Sequence, residues 1–366
     1  MEEALSVLES GAFVVCLDNE VPASRNQCAM QFLTGGLGSG YNRWFDKSIQ
    51  LICTANGKAG LLGEHSMMDG MPMVGFADHI AKSTYKDAET KFALNPAEDD
   101  FTGGVSDIFE NCTSDLQSSD SQVASLIDNA KLHFSKLVTD HEITVQSFQA
   151  YGSNYIKKAG YSPDAYVQVA IQLATYRLWG KQAGTYEATQ VRPFLHGRTE
   201  TTRSVSLEGE AFVKQMGLRP KHDENDESIR SEKLELLHNA VTGHVKYIGK
   251  AAKAMGVDRH FFGLSMMVAD GESVPSLYSH PLFVRSKRWR VSTSHLTHPK
   301  FDNWGYGEVF PDGVGLSYAI KADSCVFSIT TLKENGWTDR LSHLLEEALM
   351  EMRTLNDLNK PLVSKL

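Results

Sequence analysis

Residues 162–180 read SPDAYVQVAIQLATYRLWG and carry the strongest fold signal in the chain. Ser162 suits an N-cap, Pro163 suits the first helical position, and Asp164 favours the positive end of the helix dipole. Apolar residues then recur at almost every position up to Gly180, so the segment lacks one polar face. The sequence therefore predicts a helix that is buried on most of its faces.

Segments rich in β-branched and aromatic residues lie on both sides of this helix and are typical of strands. The predicted strands are 11–18, 48–54 and 60–64, and a strand pair over 313–331 that is joined at 321–324. Further helices are predicted over 77–93, 122–138, 231–255 and 339–356. This order of elements predicts an α/β (α+β layered) protein.

Composition excludes several classes of protein. The chain has 366 residues, of which 42% are hydrophobic and 22% charged, as in ordinary globular proteins. Its net charge of −9 argues against nucleic acid as a partner. The five cysteines, one of which is Cys112, are scattered and form no CxxC pair. This spacing indicates a protein of a reducing compartment that has neither a disulfide framework nor a zinc site. No apolar run reaches the roughly 18 residues of a membrane helix.

Two further segments stand out. Residues 95–120 form the most polar and turn-rich stretch and are predicted to be a linker or a long surface loop. The chain ends Ser364-Lys365-Leu366, which matches the tripeptide that a peroxisomal import receptor reads. The alternative is that these three residues are a frayed terminal segment and not a targeting signal.

Residues 64–70, EHSMMDG, place His65 in an H-x-x-x-D-G pattern directly after a predicted strand, backed by a carboxylate and by Gly70, which is expected to form a tight turn. A histidine titrates near neutrality and can act as a general base for a thiol or a hydroxyl. The pattern alone is weak, because most histidines are structural or exposed and this chain has 13. The nearby Gly36-x-Gly38-x-Gly40 does not have the spacing of a dinucleotide-binding loop.

Seven blocks of the chain, in order, resemble the carnitine and choline acyltransferase family. They are NRWFDKSIQLI (42–52), EHSMMDG (64–70), SPDAYVQVAIQLATYR (162–177), TYEATQVRPFLHGRTETTRS (185–204), GVDRHFFGL (256–264), STS (292–294) and PDGVGLSY (311–318). The resemblance implies a two-domain fold of the chloramphenicol acetyltransferase type with the first domain incomplete. Residues 1–110 would be the remainder of that first domain, and residues 111–366 the second domain.

The resemblance also implies a site for carnitine, which carries a carboxylate that calls for a cation and hydroxyl donors. Family correspondence gives this task to Tyr186, Thr199 and Arg259, with Ser292 assisting. Choline acetyltransferases lack the threonine and the arginine, so the presence of both favours carnitine. The alternative is that the tyrosine and threonine pack or cap helices and that the arginine is a surface charge.

His65 is the base that the resemblance implies, and Ser294 is the hydroxyl that stabilises the oxyanion of the tetrahedral intermediate. Asp69 is expected to support the site through Arg259 rather than to hold the histidine ring. The chain departs from the family at His295, where the family usually has glutamine.

Coenzyme A is expected as a co-substrate, with no permanently bound cofactor and no metal. Lys157 matches one of two phosphate-gripping lysines of the family; the other position is Ser153, for which Lys158 substitutes, and Asp164 would contact the pantetheine arm. In the acyl pocket, bulky Trp304 beside Tyr306 is expected to block long tails and to leave room for an acetyl group.

The sequence thus predicts reversible transfer of a short acyl group between coenzyme A and carnitine, as part of fatty acid metabolism. The expected location is the peroxisome, or the mitochondrion if an upstream leader is missing. Two alternatives remain open at this point. One is a truncated, non-catalytic fragment of the family, and the other is an acyltransferase for another alcohol such as choline.

Overall fold

The computed structural model describes residues 2–82, 121–221 and 226–358. The chain divides into two compact units, Met1–Asp140 and His141–Leu366. The domain boundary predicted at 110/111, the predicted linker 95–120 and the C-terminal tripeptide 364–366 lie outside the described residues and stay predictions. Within the described residues, no helix combines the length and the apolar character that crossing a membrane requires.

The first unit holds a small mixed sheet. Its strands are β1 (Val14–Asp18), β2 (Ile49–Thr54) and β3 (Ala59–Gly63). Strand β2 lies in the middle, parallel to β1 and antiparallel to β3. Its described helices are α1 (Glu2–Ser10), α2 (Arg25–Thr34), α3 (Gly36–Ser39), α4 (Gly70–Lys82) and α5 (Ser121–Asp140), with a 3-10 turn over Gly40–Asn42. The predicted strands and the helix predicted over 122–138 are confirmed.

Helix α4 differs from its prediction, since it begins at Gly70 rather than at residue 77. The glycine was expected to form a turn, but it is the first residue of the helix, and the apolar residues that follow bury Val74 and Ala77. The helix therefore starts directly after the H-x-x-x-D-G pattern. Residues 83–93 of the prediction lie outside the described part of the chain.

The second unit is built on a six-stranded sheet in the order β4-β9-β8-β7-β5-β6. Strands β8, β7 and β5 are parallel, and the remaining neighbours are antiparallel. The strands are β4 (His141–Phe148), β5 (Thr185–Gln190), β6 (Thr199–Arg203), β7 (Val291–His295), β8 (Val314–Ile320) and β9 (Cys325–Leu332). The predicted strand pair over 313–331 is thus confirmed as the β8–β9 hairpin.

The helices of this unit pack around the sheet. They are α6 (Ser153–Lys158), α7 (Pro163–Trp179), α8 (Leu207–Met216), α9 (Glu227–Ala251), α10 (Asp258–Met266), α11 (Ser276–Ser279), α12 (Pro281–Ser286) and α13 (Thr338–Leu358), with a 3-10 turn over Lys333–Asn335. Helix α9 begins four residues before its prediction because the carboxylate of Asp226 accepts hydrogen bonds from the amides of Ser228 and Ile229.

Helix α7 is the central element of the hydrophobic core, as its sequence predicts. Thirteen of its 17 residues are buried, so it has no solvent-facing side along most of its length. It packs against α8, α9 and α13, and its buried Arg177 donates to the carboxylate of Glu351 on α13. Ser162 occupies the N-cap position, but its side chain makes no capping hydrogen bond. The position was predicted correctly and the capping role was not.

Candidate active site

Strand alternation places the predicted site residues that lie on strands of the six-stranded sheet on one side of that sheet. Successive side chains of a strand point to opposite faces. On β7, Ser292 and Ser294 therefore share one face, and Tyr186 of β5 pairs with Ser292 across the ladder. Thr199 of β6 pairs with Gln190, which lies on the same face as Tyr186. We call this the serine face.

Thr199 and Arg259 contact each other at the serine face. The guanidinium of Arg259 donates through Nε to the carbonyl of Thr199 at 3.0 Å and through Nη2 to its hydroxyl at 3.2 Å. Arg259 is exposed at the start of α10. A planar cation beside a hydroxyl donor can receive a carboxylate.

A second arginine holds the start of α10 in place. Arg203 of β6 donates through Nε and Nη2 to both carboxylate oxygens of Asp258, at 2.9 and 2.8 Å. Its guanidinium carbon lies 5.0 Å from the ring centre of Trp289, and that ring is 5.9 Å from the ring of Tyr186. Arg259 follows Asp258 in the chain, so the Arg203–Asp258 contact holds Arg259 close to β6, the strand that carries Thr199.

Trp304 and Tyr306 also lie at the serine face, over β7 and β8. The indole of Trp304 donates to the carbonyl of Tyr318 at 3.2 Å, and the hydroxyl of Tyr306 donates to the carbonyl of Ser292 at 3.0 Å. The two rings are 5.6 Å apart. At Gly305 between them, a Cβ would lie 2.8 Å from the hydroxyl of Ser328, which explains the glycine.

The other side of the sheet, which we call the helix face, carries a hydrogen-bonded network. Asp164, at the start of α7, accepts a 2.7 Å hydrogen bond from the hydroxyl of Tyr318. One turn later, Gln168 donates to the hydroxyls of Tyr318 and Thr293 at 2.8 and 2.9 Å. Thr293 in turn donates to the carbonyl of Tyr186 at 2.8 Å. The network thus runs from Asp164 to the hydroxyl of Thr293, which lies between the two serines in the chain, and ends at the backbone carbonyl of Tyr186.

His295 belongs to the helix face and not to the serine face. Its ring stacks on that of Tyr318, with centres 5.0 Å apart and planes 3° apart. Its Nδ1 lies 3.3 Å from the Oδ1 of Asp164, and its Nε2 is 2.7 Å from the hydroxyl of Thr297. The departure from glutamine therefore changes the surroundings of Asp164, which lies on the opposite side of the sheet from Ser294.

Two residues with strongly shifted pKa values join this network, and sequence reasoning missed both. Burial raises the pKa of Glu187 to about 7, and the nearby Asp164 adds to the rise. Burial disfavours the charged form of His244, but the carboxylates of Asp164 and Glu187 outweigh it and raise its pKa to about 9. Burial also opposes the charge on Asp164, yet contacts with His244, His295 and Tyr318 hold its pKa well below its usual range.

The missed pair left a signal in the sequence. Glu187 occupies an inward position of β5 between the buried threonines Thr185 and Thr189. His244 continues a buried stripe of α9 that includes Leu237 and Val241. An ionisable residue on an inward-facing position needs a partner, and each of these two supplies one for the other.

The proposed phosphate-binding lysines lie apart from this network. Lys157 and Lys158 are the last two residues of α6 and are both exposed. Residues 159–162 then connect α6 to α7, whose second residue is Asp164. The three residues assigned to coenzyme A are therefore held by two successive helices.

His65 lies in the first unit, in the loop between β3 and α4. Its Nδ1 is 2.7 Å from the carbonyl oxygen of Met68, and its side chain is 76% exposed. A carbonyl oxygen only accepts, so Nδ1 carries the proton and the neutral ring keeps Nε2 as an acceptor. The Oδ1 of Asp69 is 3.9 Å from Nδ1, beyond hydrogen-bond length. The role predicted for Asp69 through Arg259 stays a prediction.

Comparison with known proteins identifies the family. A model of the family described as choline/carnitine O-acyltransferase matches residues 1–347. The chain belongs to this family. It is 33% identical to the carnitine O-acetyltransferase of Mus musculus over 96% of this chain and 55% of that protein. It is 32% identical to the mitochondrial carnitine O-acetyltransferase of Saccharomyces cerevisiae over 96% of this chain and 51% of that protein.

Choline acyltransferases are similar as well. The chain is 30% identical to the choline O-acetyltransferase of Sus scrofa over 99% of this chain and 56% of that protein. It thus spans about half the length of the curated relatives it matches. Family membership alone therefore does not choose between the two alcohols.

The solved structures that match the chain do so at low TM-scores and low sequence identity. The wax ester synthase/diacylglycerol acyltransferase of Marinobacter aquaeolei matches at a TM-score of 0.43 and 13% identity, over 95% of this chain and 81% of that one. A chloramphenicol acetyltransferase matches at a TM-score of 0.29 and 11% identity, over 58% of this chain and 89% of that one.

Proposed function

We propose that the protein transfers a short acyl group reversibly between coenzyme A and carnitine, with His65 as the general base. The observation that carries the proposal is the contact of His65 Nδ1 with the carbonyl of Met68. It leaves Nε2 as an acceptor, which is the state a general base needs.

In the proposed reaction, Nε2 of His65 takes the proton from the carnitine hydroxyl. The resulting oxygen attacks the thioester carbon, and the hydroxyl of Ser294 donates to the oxyanion that forms. When the carbon–sulfur bond breaks, His65 returns the proton to the coenzyme A sulfur. In the reverse direction the same atom takes the proton of the thiol.

The pairing of Thr199 with Arg259 supports carnitine over choline. The exposed guanidinium and the hydroxyl beside it form a receptor for a carboxylate, and choline has none. Tyr186 and Ser292, paired across β5 and β7, complete the proposed carnitine site. Trp304 and Tyr306 close the acyl side at two carbons, while Lys157, Lys158 and Asp164 serve coenzyme A.

A thiol-release assay with acetyl-CoA and carnitine tests the proposal. We expect turnover in the unaltered chain and a loss of about 10²- to 10⁴-fold in kcat for His65→Ala, since that is what a general base contributes. His133→Ala, which removes an exposed histidine of α5, is the matched control. A monodisperse chain without His65-dependent turnover would instead favour a non-catalytic fragment.

The C-terminal Ser364-Lys365-Leu366 supports a peroxisomal location as part of the same proposal. An amino-terminal fluorescent fusion should reach peroxisomes, and Leu366→Asp should abolish the import. Fluorescence in mitochondria, or import that the substitution leaves intact, would contradict this location.

A further inference from the structure

We propose that His244 and Glu187 are positioning residues for coenzyme A: they hold the carboxylate of Asp164 in place and make binding of this co-substrate depend on their own charges. The inference rests on the proposed function, in which Asp164 contacts the pantetheine arm. The inference gives a role to two residues that no sequence motif assigns to a ligand. It also makes the affinity for coenzyme A depend on the ionisation of these two residues.

Three elements of the second unit grip Asp164. Its Oδ1 receives the hydroxyl of Tyr318 from β8 at 2.7 Å and lies 3.3 Å from His295 Nδ1 on β7. Its Oδ2 is 3.7 Å from His244 Nε2 on α9. Side chains from three elements therefore face both oxygens of the carboxylate, and His244 is the one nearest to Oδ2 among these contacts.

Only one member of the trio is accessible to a ligand. The side chain of Asp164 is 23% exposed, whereas those of His244 and Glu187 are each 3% exposed. A bound molecule can thus touch Asp164, while the other two residues act through it. This difference is the reason that they are positioning residues and not binding residues.

His244 and Glu187 hold each other by charge. His244 Nε2 lies 3.0 Å from Glu187 Oε2, yet neither atom has a well-aligned hydrogen bond among the described residues. When Glu187 is ionised, the contact is a buried ion pair, and removing one member leaves an uncompensated group on the other. The charge that His244 presents to Asp164 therefore depends on the ionisation of Glu187.

The titratable groups that face the pair come from four other parts of the unit. They are Asp164 of α7, His295 of β7, Tyr318 of β8, and Tyr306 before β8. Burial raises the pKa values of both tyrosines, so these stay neutral. Across from Glu187, β6 contributes the uncharged Thr202, and Glu208 of α8 lies beside Gly243, the neighbour of His244.

The ionisation of the trio changes near neutrality. With Asp164 ionised and His244 protonated, the trio has no net charge while Glu187 is protonated, and it gains one negative charge when Glu187 ionises near pH 7. The ionised Glu187 then competes with Asp164 for His244. Coenzyme A, itself an anion, should bind more weakly above this pH.

Calorimetric titration with coenzyme A at pH 6 and pH 8 tests the inference without requiring turnover. Glu187→Gln mimics the protonated acid, so it should keep the low-pH affinity and lose most of the weakening at pH 8. His244→Gln should bind coenzyme A at least fivefold more weakly at both pH values. Carnitine affinity should stay within twofold in both variants, because its proposed site lies on the serine face.

Matched controls lie on α9, where His238→Gln and Glu235→Gln remove exposed groups of the same types. If folded Glu187→Gln and His244→Gln variants bind coenzyme A like these controls at both pH values, the inference is overturned and the proposed function is not. If the unaltered chain does not bind coenzyme A, the proposed function fails and the inference with it.

A metal would also overturn the inference. The ligand atoms of Asp164, Glu187 and His244 all lie within 4.8 Å of one another, which a divalent cation could bridge. His244 would then be a neutral ligand rather than a cation. One equivalent of zinc in the purified chain, absent from Glu187→Gln, is the finding that would establish this.

Discussion

At the scale of single residues, Arg259 offers the sharpest test of the substrate. Arg259→Asn removes the cation beside Thr199, so the KM for carnitine should rise at least tenfold with a smaller change in kcat. The KM for acetyl-CoA should not change. Initial rates over a range of carnitine concentrations measure this, and Arg340→Asn on the exposed side of α13 is the control.

Two results would contradict the carnitine assignment. One is a KM for carnitine that Arg259→Asn leaves unchanged. The other is a chain that acylates choline faster than carnitine, as the similarity to choline O-acetyltransferases allows.

Glu187 and His244 also predict how stability depends on pH. Both groups bind a proton more tightly in the folded state, because their pKa values rise from 4.5 to about 7 and from 6.5 to about 9. The contribution of Glu187 to the free energy of unfolding is complete below pH 4.5 and is lost as the pH rises through 7. That of His244 is complete below pH 6.5 and is lost as pH rises through 9. Asp164, with a lowered pKa, contributes above about pH 4 and loses its contribution in acid.

We therefore expect the free energy of unfolding to fall from pH 5 to pH 9, by roughly 1–3 kcal/mol for Glu187 alone. Glu187→Gln should flatten the part between pH 5 and 7. Urea unfolding followed by tryptophan fluorescence measures this, since four of the five tryptophans lie in the second unit. Glu235→Gln should keep the slope, and an equal slope in Glu187→Gln would refute the assignment.

Single residues also mark what the sequence could and could not predict. His65, Thr199 and Arg259 stand in motifs, so their roles could be proposed from the order of the blocks. The Asp164–His244–Glu187 trio could not, because its members come from a helix start, a helix middle and a strand that are far apart in the chain. Burial brings them together, and a single sequence does not report burial directly.

At the scale of elements, Gly152 predicts how firmly α6 is held against the β8–β9 hairpin. A Cβ at this position would lie 2.5 Å from the amide nitrogen of Ser324 and even closer to the carbonyl oxygen of Lys321. These atoms are backbone and cannot move aside cheaply, so Gly152→Ala should destabilise the protein by about 1–3 kcal/mol.

Gly249→Ala is the matched control, because a Cβ there meets nothing within 4 Å on α9. Helix propensity should make it stabilising by up to about 1 kcal/mol. Urea unfolding of both variants gives the comparison. A Gly152→Ala variant as stable as the unaltered chain would show that the hairpin can shift to make room.

Most helices and strands could be predicted from the hydrophobic periodicity and the content of β-branched residues. Their exact boundaries could not. Helix α7 was predicted within one residue because proline and glycine delimit it. The predicted start of helix α4 was too late because Gly70 was expected to form a turn. Glycine has a low helix propensity, but burial of Val74 one turn later outweighs it.

At the scale of the whole molecule, the proposed roles divide between the two units. The residues assigned to coenzyme A and carnitine lie in His141–Leu366, and the base lies in Met1–Asp140. Binding and turnover should therefore separate. We expect His65→Ala to bind coenzyme A within twofold of the unaltered chain by calorimetry while its turnover is lost. A parallel loss of binding would show that the base also contributes to ligand affinity.

The alternation along β7 has a consequence for how such a protein can diverge. Ser292 and Ser294 face one way, and Thr293 and His295 face the other, so neighbouring positions of the strand have different surroundings. On the proposed function, we expect a library that varies Ser292 and Ser294 to change the choice of acyl acceptor while leaving the contact of Thr293 with Tyr186 intact. On the proposed function, we expect substitutions of His295, which lies beside Asp164, to alter how coenzyme A binding depends on pH without changing the choice of alcohol.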